Sequence, residues 1–265
     1  MYKIVPLLIF LILTTSAEGT PVKFDKINKK IYAVIDGSEI ILPFQSDGQE
    51  NPLNAPGVFN STPTLEFQKL INSGYEEISI QNYFGHNYLI GTTKNEVNKC
   101  SVLFGIANGE INNSPMVGVN EQICNVSVRD NKVVSSWRDE GKWNDDVYKI
   151  NEHGKWILIF RDSCIGCEQV KRVFYKSGKP SEGSLLTDGD DFTSRKELIG
   201  EVAVERASLF KESDLKIKSK SYLVKGDVVT FSDMSNNGDF YKIKYKTNAG
   251  KILVSWMRSD DFNFR

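Results

Sequence analysis

Histidine is nearly missing: the 265 residues hold two, His86 and His153. A serine or cysteine nucleophile ordinarily needs a neighbouring base, and neither a G-x-S-x-G nor an H-E-x-x-H pattern surrounds either one. Both lie in polar segments, Gly85-His86-Asn87 and Asn151-Glu-His-Gly154, that read as turns. The chain is therefore expected to be non-catalytic, and no cofactor is expected. Charge of one sign is also lacking, with 33 Lys/Arg against 34 Asp/Glu. No stretch has the basic density that counterion release at a nucleic acid would use, so no nucleic-acid partner is expected. No βαβ alternation and no internal repeat is found. Beyond the first residues there is no long apolar run, so no stable membrane insertion is expected of the mature chain.

The one apolar run is N-terminal. Lys3 precedes Ile4 to Leu13, broken only by Pro6, and Thr15-Ser16-Ala17 follows with small residues. Ten residues are too few to span a bilayer as a helix, so residues 1–17 read as a secretory signal cut after Ala17. No cysteine follows the run to carry a lipid anchor. The expected location is periplasmic or secreted. In such a compartment the four cysteines, Cys100, Cys124, Cys164 and Cys167, are expected to be oxidised. Three pairings are possible; Cys100 with Cys124 and Cys164 with Cys167 is the most economical.

Strand signals then dominate. Lys30 to Ile35 and Glu39 to Leu42 flank an Asp36-Gly37 hairpin turn. Residues 46–59 read as a loop, and Thr62-Pro63 as the start of a short helix ending at Ser73-Gly74. Further strands are expected around 77–80, 88–90, 100–104, 123–128, 132–137, 147–150, 155–160 and 170–175. Residues 181–200 are rich in Gly, Ser and Asp and read as a linker. The expected class is all-β: an antiparallel β-rich domain over 18–180, sandwich or propeller-like, then a second domain over 201–265.

The second domain carries a pattern. Ala207 to Phe210, then Tyr222-Leu-Val-Lys-Gly-Asp227, then the aromatic strand Phe240 to Tyr245, and finally Ser255-Trp256 recur in order. This resembles the bacterial SH3-like domain, with serine at 255 where that family's pattern has glycine. The resemblance implies a small β-barrel that binds peptides, with Phe210, Tyr222, Phe240, Tyr241 and Trp256 at the positions that line its binding surface. It implies a cell-wall (peptidoglycan) peptide or an envelope protein as partner, and no activity. Strand alternation places Tyr241, Ile243 and Tyr245 on one face and Phe240, Lys242 and Lys244 on the other.

Further patterns in the sequence admit chemistry. Cys164-Ile-Gly-Cys167 admits thiol–disulfide exchange, but β-rich sequence follows it where a helix would lower a thiol pKa, so a structural clip is favoured. Asp139-Glu140 and Asp145-Asp146 lie beside Trp137 and Trp143, an arrangement used for sugar binding or acid–base work, though exposed strand-end charge is commoner. Asp188-Gly-Asp-Asp191 lacks the spacing of a calcium loop, and no metal is assigned. An acidic loop over 138–146 also fits an immunity or inhibitor protein that plugs a basic cleft of a toxin or wall hydrolase.

Overall fold

The computed structural model describes residues 20–21, 23–25, 30–35, 38–43, 75, 77–93, 97–107, 110–117 and 122–265. For those before 75, and for 77–80, 107, 110, 111 and 113, it describes the backbone alone. The expected signal segment at 1–17 and the expected helix after Thr62 lie outside these residues. Among the described residues the chain is all-β, with antiparallel sheets, a half-barrel and one 3-10 turn at Ser259–Asp261. No helix among them is long and apolar enough to cross a membrane.

Two compact units form, one of Met1–Thr92 with Leu103–Ser114, the other of Thr93–Val102 with Pro115–Arg265. The first holds β1 (Thr20–Pro21), a three-stranded sheet of β2 (Lys23–Asp25), β3 (Lys30–Ile35) and β4 (Ser38–Pro43), and strands β5 (Glu77–Tyr83) and β6 (His86–Thr92). Strands β7 (Cys100–Ala107) and β8 (Glu110–Pro115) follow, and β9 (Ile123–Cys124) pairs with β7. The expected hairpin of residues 30–42 is thus present as β3 and β4, paired Lys30 to Pro43 through Ile35 to Ser38.

The second unit contains a six-stranded meander in chain order: β10 (Val126–Arg129), β11 (Lys132–Asp139), β12 (Lys142–Ile150), β13 (Trp156–Ile165), β14 (Gln169–Lys176) and β15 (Lys179–Thr187). Its tight hairpins are fixed by local chemistry. Asp130-Asn131, Glu140-Gly141 and Ser177-Gly178 each connect two strands with two residues, both at positive φ. That is the turn whose twist matches paired strands, and Asn, Asp and Gly tolerate it best.

The half-barrel follows, from β16 (Ile199–Val202), β17 (Arg206–Phe210), β18 (Lys218–Val224), β19 (Val228–Met234), β20 (Phe240–Lys246), β21 (Ile252–Arg258) and β22 (Phe262–Phe264), ordered β18-β17-β21-β20-β19-β16-β22. Its concave side closes on Val202, Ala207, Leu209, Leu223, Val229, Phe231, Tyr241, Ile243, Met257 and Phe262. Bulges at Ser208/Phe210 and Phe231/Asp233 bend two of its strands. Gly200 lets Phe231 pack close, since a Cβ there would lie 2.5 Å from the ring.

The span 181–200, expected as a linker, holds most of β15. Leu185 is buried in the half-barrel core, and a Cβ on Gly183 would meet the Ser232 carbonyl oxygen at 2.8 Å. The small, polar composition that reads as linker here serves an edge strand lying backbone-close to β19.

Candidate binding surfaces

Burial sorts the five aromatic positions of the half-barrel. Tyr241 lies in the concave core, and its ring packs against Phe231 and Phe262. Phe210 and Phe240 are buried too, but elsewhere: they meet edge-on at 5.4 Å, and Phe210 pairs across β17 and β21 with Trp256. Trp256 is half-buried, with the Lys242 ammonium 5.9 Å from its ring centroid. Tyr222 is 48% exposed under the Arg206 guanidinium, 3.9 Å away. The convex face therefore offers two cation-topped aromatics, Tyr222 and Trp256, while Phe210, Phe240 and Tyr241 support from within. Tyr241 faces the core by alternation, whereas Phe210 and Phe240 lie on the side of the sheet that carries Trp256 and Lys242 and are buried there against each other.

The same convex face presents residues that sequence reading passed over. Ile199, Thr230, Lys244 and Val254 stand in one cross-strand row, and Lys246 faces Ile252 in the next. Ile199, Val228, Ile252 and Val254 are all exposed. With Lys244, Lys246, Glu182 and Glu197 they line an open groove of about 470 Å³. Along β21 this surface continues from Ile252 through Val254 to Trp256, and along β20 from Lys246 through Lys244 to Lys242. The available signal was that β19 and β21 carry apolar residues on both faces, which a one-sided barrel wall does not require.

The meander carries a second arrangement. One polar row crosses five strands, Ser136, Asp145, Asp162, Arg172 and Ser184 standing opposite one another in turn. Two carboxylates side by side would repel, and two guanidiniums resolve this. Arg172 donates to both oxygens of Asp162 at 2.6 and 2.7 Å; Arg195 spans Asp162 at 2.6 Å and Asp145 at 3.0 Å. The Ser136 hydroxyl donates to Asp145 at 2.7 Å, and that of Ser184 to Glu197 at 3.0 Å. Beside this row Val134, Val147 and Phe160 form an apolar one, capped by Phe192.

Arg195 and Phe192 come from the loop 188–195, and hydrogen bonds shape that loop. Asp188 accepts from Gly166 N–H at 3.1 Å, and Asp191 from Thr193 N–H at 2.7 Å, while Arg129 pairs with Asp191. Asp188 and Asp191, in the stretch that lacks a calcium loop's spacing, are thus turn formers. On the other face Asp146 takes Arg161, with Nη2 at 2.7 Å, and that bond raises the guanidinium pKa. Burial, then Asp146, pushes the Tyr148 hydroxyl up. Asp145 and Asp146 therefore point into ion pairs; the stretch 138–146, expected as a loop, is instead the β11–β12 hairpin, whose tip exposes Asp139 and Glu140 alongside Arg138 and Lys142.

Both disulfides form as the economical pairing has them, Cys100–Cys124 and Cys164–Cys167. The first joins residues 93–102 to β9, where Asn125 donates to Val97 and Ser136 carbonyls and Asn98 to the Arg138 carbonyl. The second closes the β13–β14 turn; Cys167 N–H donates to the Cys164 carbonyl at 3.0 Å, and no helix follows. His86 opens β6, and exposed His153 lies in the β12–β13 turn, held by Asn151. No family model matches the chain, and no curated protein or solved structure does.

Proposed function

We propose that this is an exported, non-catalytic binding protein of the periplasm or the secreted fraction. Its half-barrel is an SH3-like module that holds a peptidoglycan peptide or an envelope protein. The observation that carries the reading is the convex face of β20 and β21. There exposed Ile252 and Val254 run on to half-buried Trp256, beside the lysine row Lys242, Lys244 and Lys246. An exposed apolar strip of this kind marks an interaction surface. The ammonium row beside it complements the carboxylates of an acidic extended peptide and disfavours basic partners. Tyr222 under Arg206 adds a second cation-topped aromatic on β18.

The test is co-sedimentation of the chain from residue 18 with purified peptidoglycan sacculi and, in parallel, capture from envelope extract. Saturable retention that falls in Trp256→Ala and Val254→Asp supports the reading. Loss of neither wall nor protein capture in those variants, or no capture by the parent, rejects it.

A further inference from the structure

We infer that the meander holds a binding site for a neutral saccharide in the cleft between β10–β12 and the loop 188–195. This site shares no residue with the half-barrel face and stands or falls apart from it. The cleft encloses about 360 Å³, at the small end of the roughly 300–1,000 Å³ of ligand pockets. Trp143 forms one wall and is 37% exposed, opposite Ile165 on β13. An indole in a cleft wall offers a flat apolar face for the C–H side of a sugar ring.

Behind it the floor is polar and already fixed. Ser136, Asp145 and Arg195 line it, and the Arg195 side chain is 1% exposed. Its two Nη atoms are taken by Asp162 and Asp145, whereas its buried Nε has no hydrogen-bond partner among the described residues. Asp190, Asp191, Arg129 and Ser127 complete the lining.

The charge pattern selects the ligand. Arg195 is balanced by Asp145 and Arg129 by Asp191, so cationic and anionic groups are interleaved along the same walls. An anion meets carboxylates at close range and a cation meets guanidiniums, and either loses hydration without a matched partner. Hydroxyls both donate to carboxylates and accept from guanidinium N–H, so a neutral polyol uses both sets. The loop is held by Asp188, Asp191 and Phe192, so the site needs little ordering on binding.

The test is a glycan array carrying neutral oligosaccharides, chito-oligosaccharides included, beside charged ones, probed with the full chain from residue 18. Calorimetry with the strongest binder follows. Saturable binding that weakens about tenfold or more in Trp143→Ala is expected, as for truncation of a central aromatic anchor. Thermal melting checks that this exposed site leaves folding intact, and Trp143→Phe should retain part of the affinity. The Trp256→Ala variant should bind the saccharide like the parent, which separates this site from the half-barrel face. Absence of array binding, a preference for charged glycans, or binding unaltered in folded Trp143→Ala overturns the inference.

Discussion

Replacing Arg195 by methionine removes one guanidinium from the centre of the meander and leaves its packing volume nearly filled. Asp162, fully buried, keeps both bonds from Arg172, but Asp145 then retains only the Ser136 hydroxyl in a setting 12% exposed. Removing one partner of a buried ion pair costs about 3–5 kcal/mol, because the other charge stays desolvated. For a chain of this size that corresponds to a melting temperature lower by about 6–20 °C. Urea unfolding followed by tryptophan fluorescence reads the difference directly. Adding Asp145→Asn to Arg195→Met should recover about 1–3 kcal/mol, since the stranded charge is then gone. A single variant within about 1 kcal/mol of the parent would refute the claim that Arg195 neutralises buried carboxylates.

The two disulfides should differ in worth. Loop-closure entropy gives about 3.5 kcal/mol for the 24-residue separation of Cys100 and Cys124, and about 2 for the three-residue one of Cys164 and Cys167. Paired Cys→Ser variants in urea should rank in that order, and the reverse ranking contradicts it. Gly200→Ala should destabilise the half-barrel, because the new Cβ drives into the Phe231 ring, and a neutral outcome would show that the ring moves freely. Burial, then Tyr88, pushes the Tyr83 hydroxyl up to about 12 from 10.0. The folded state thus prefers the neutral phenol; this stabilisation is whole below pH 10 and is lost as pH climbs through 12. Spectrophotometric titration should lose one late-ionising tyrosine in Tyr83→Phe, and an unaltered curve would be inconsistent with that.

Much of the architecture was legible because its signals are local. The alternation Tyr241-Lys242-Ile243-Lys244-Tyr245 states which face of β20 is buried, and the structure follows it. The Asp36-Gly37 pair announces the hairpin that β3 and β4 form, and the cysteine pairing follows from economy of spacing. Long-range partnerships were not legible. Asp145 and Asp146 read as exposed strand-end charge because the guanidiniums that neutralise them lie 50 and 15 residues away in sequence. Residues 181–187 read as linker because an edge strand tolerates the Ser and Gly that mark loops, and the buried pair Leu185-Leu186 alone betrays its packing. Phe210 and Phe240 read as surface candidates because alternation does put them on the outer face, and their burial there comes from packing on each other across 30 residues of sequence.

The most direct measurement is an NMR titration of the isotope-labelled chain from residue 18 with a soluble stem-peptide fragment of peptidoglycan. Saturable shifts confined to the convex face, at Ile252, Val254, Trp256 and the lysines of β20, are predicted, and Trp256→Ala should abolish them. Failure of the peptide to shift these resonances, together with no shift on adding envelope extract, would contradict the account.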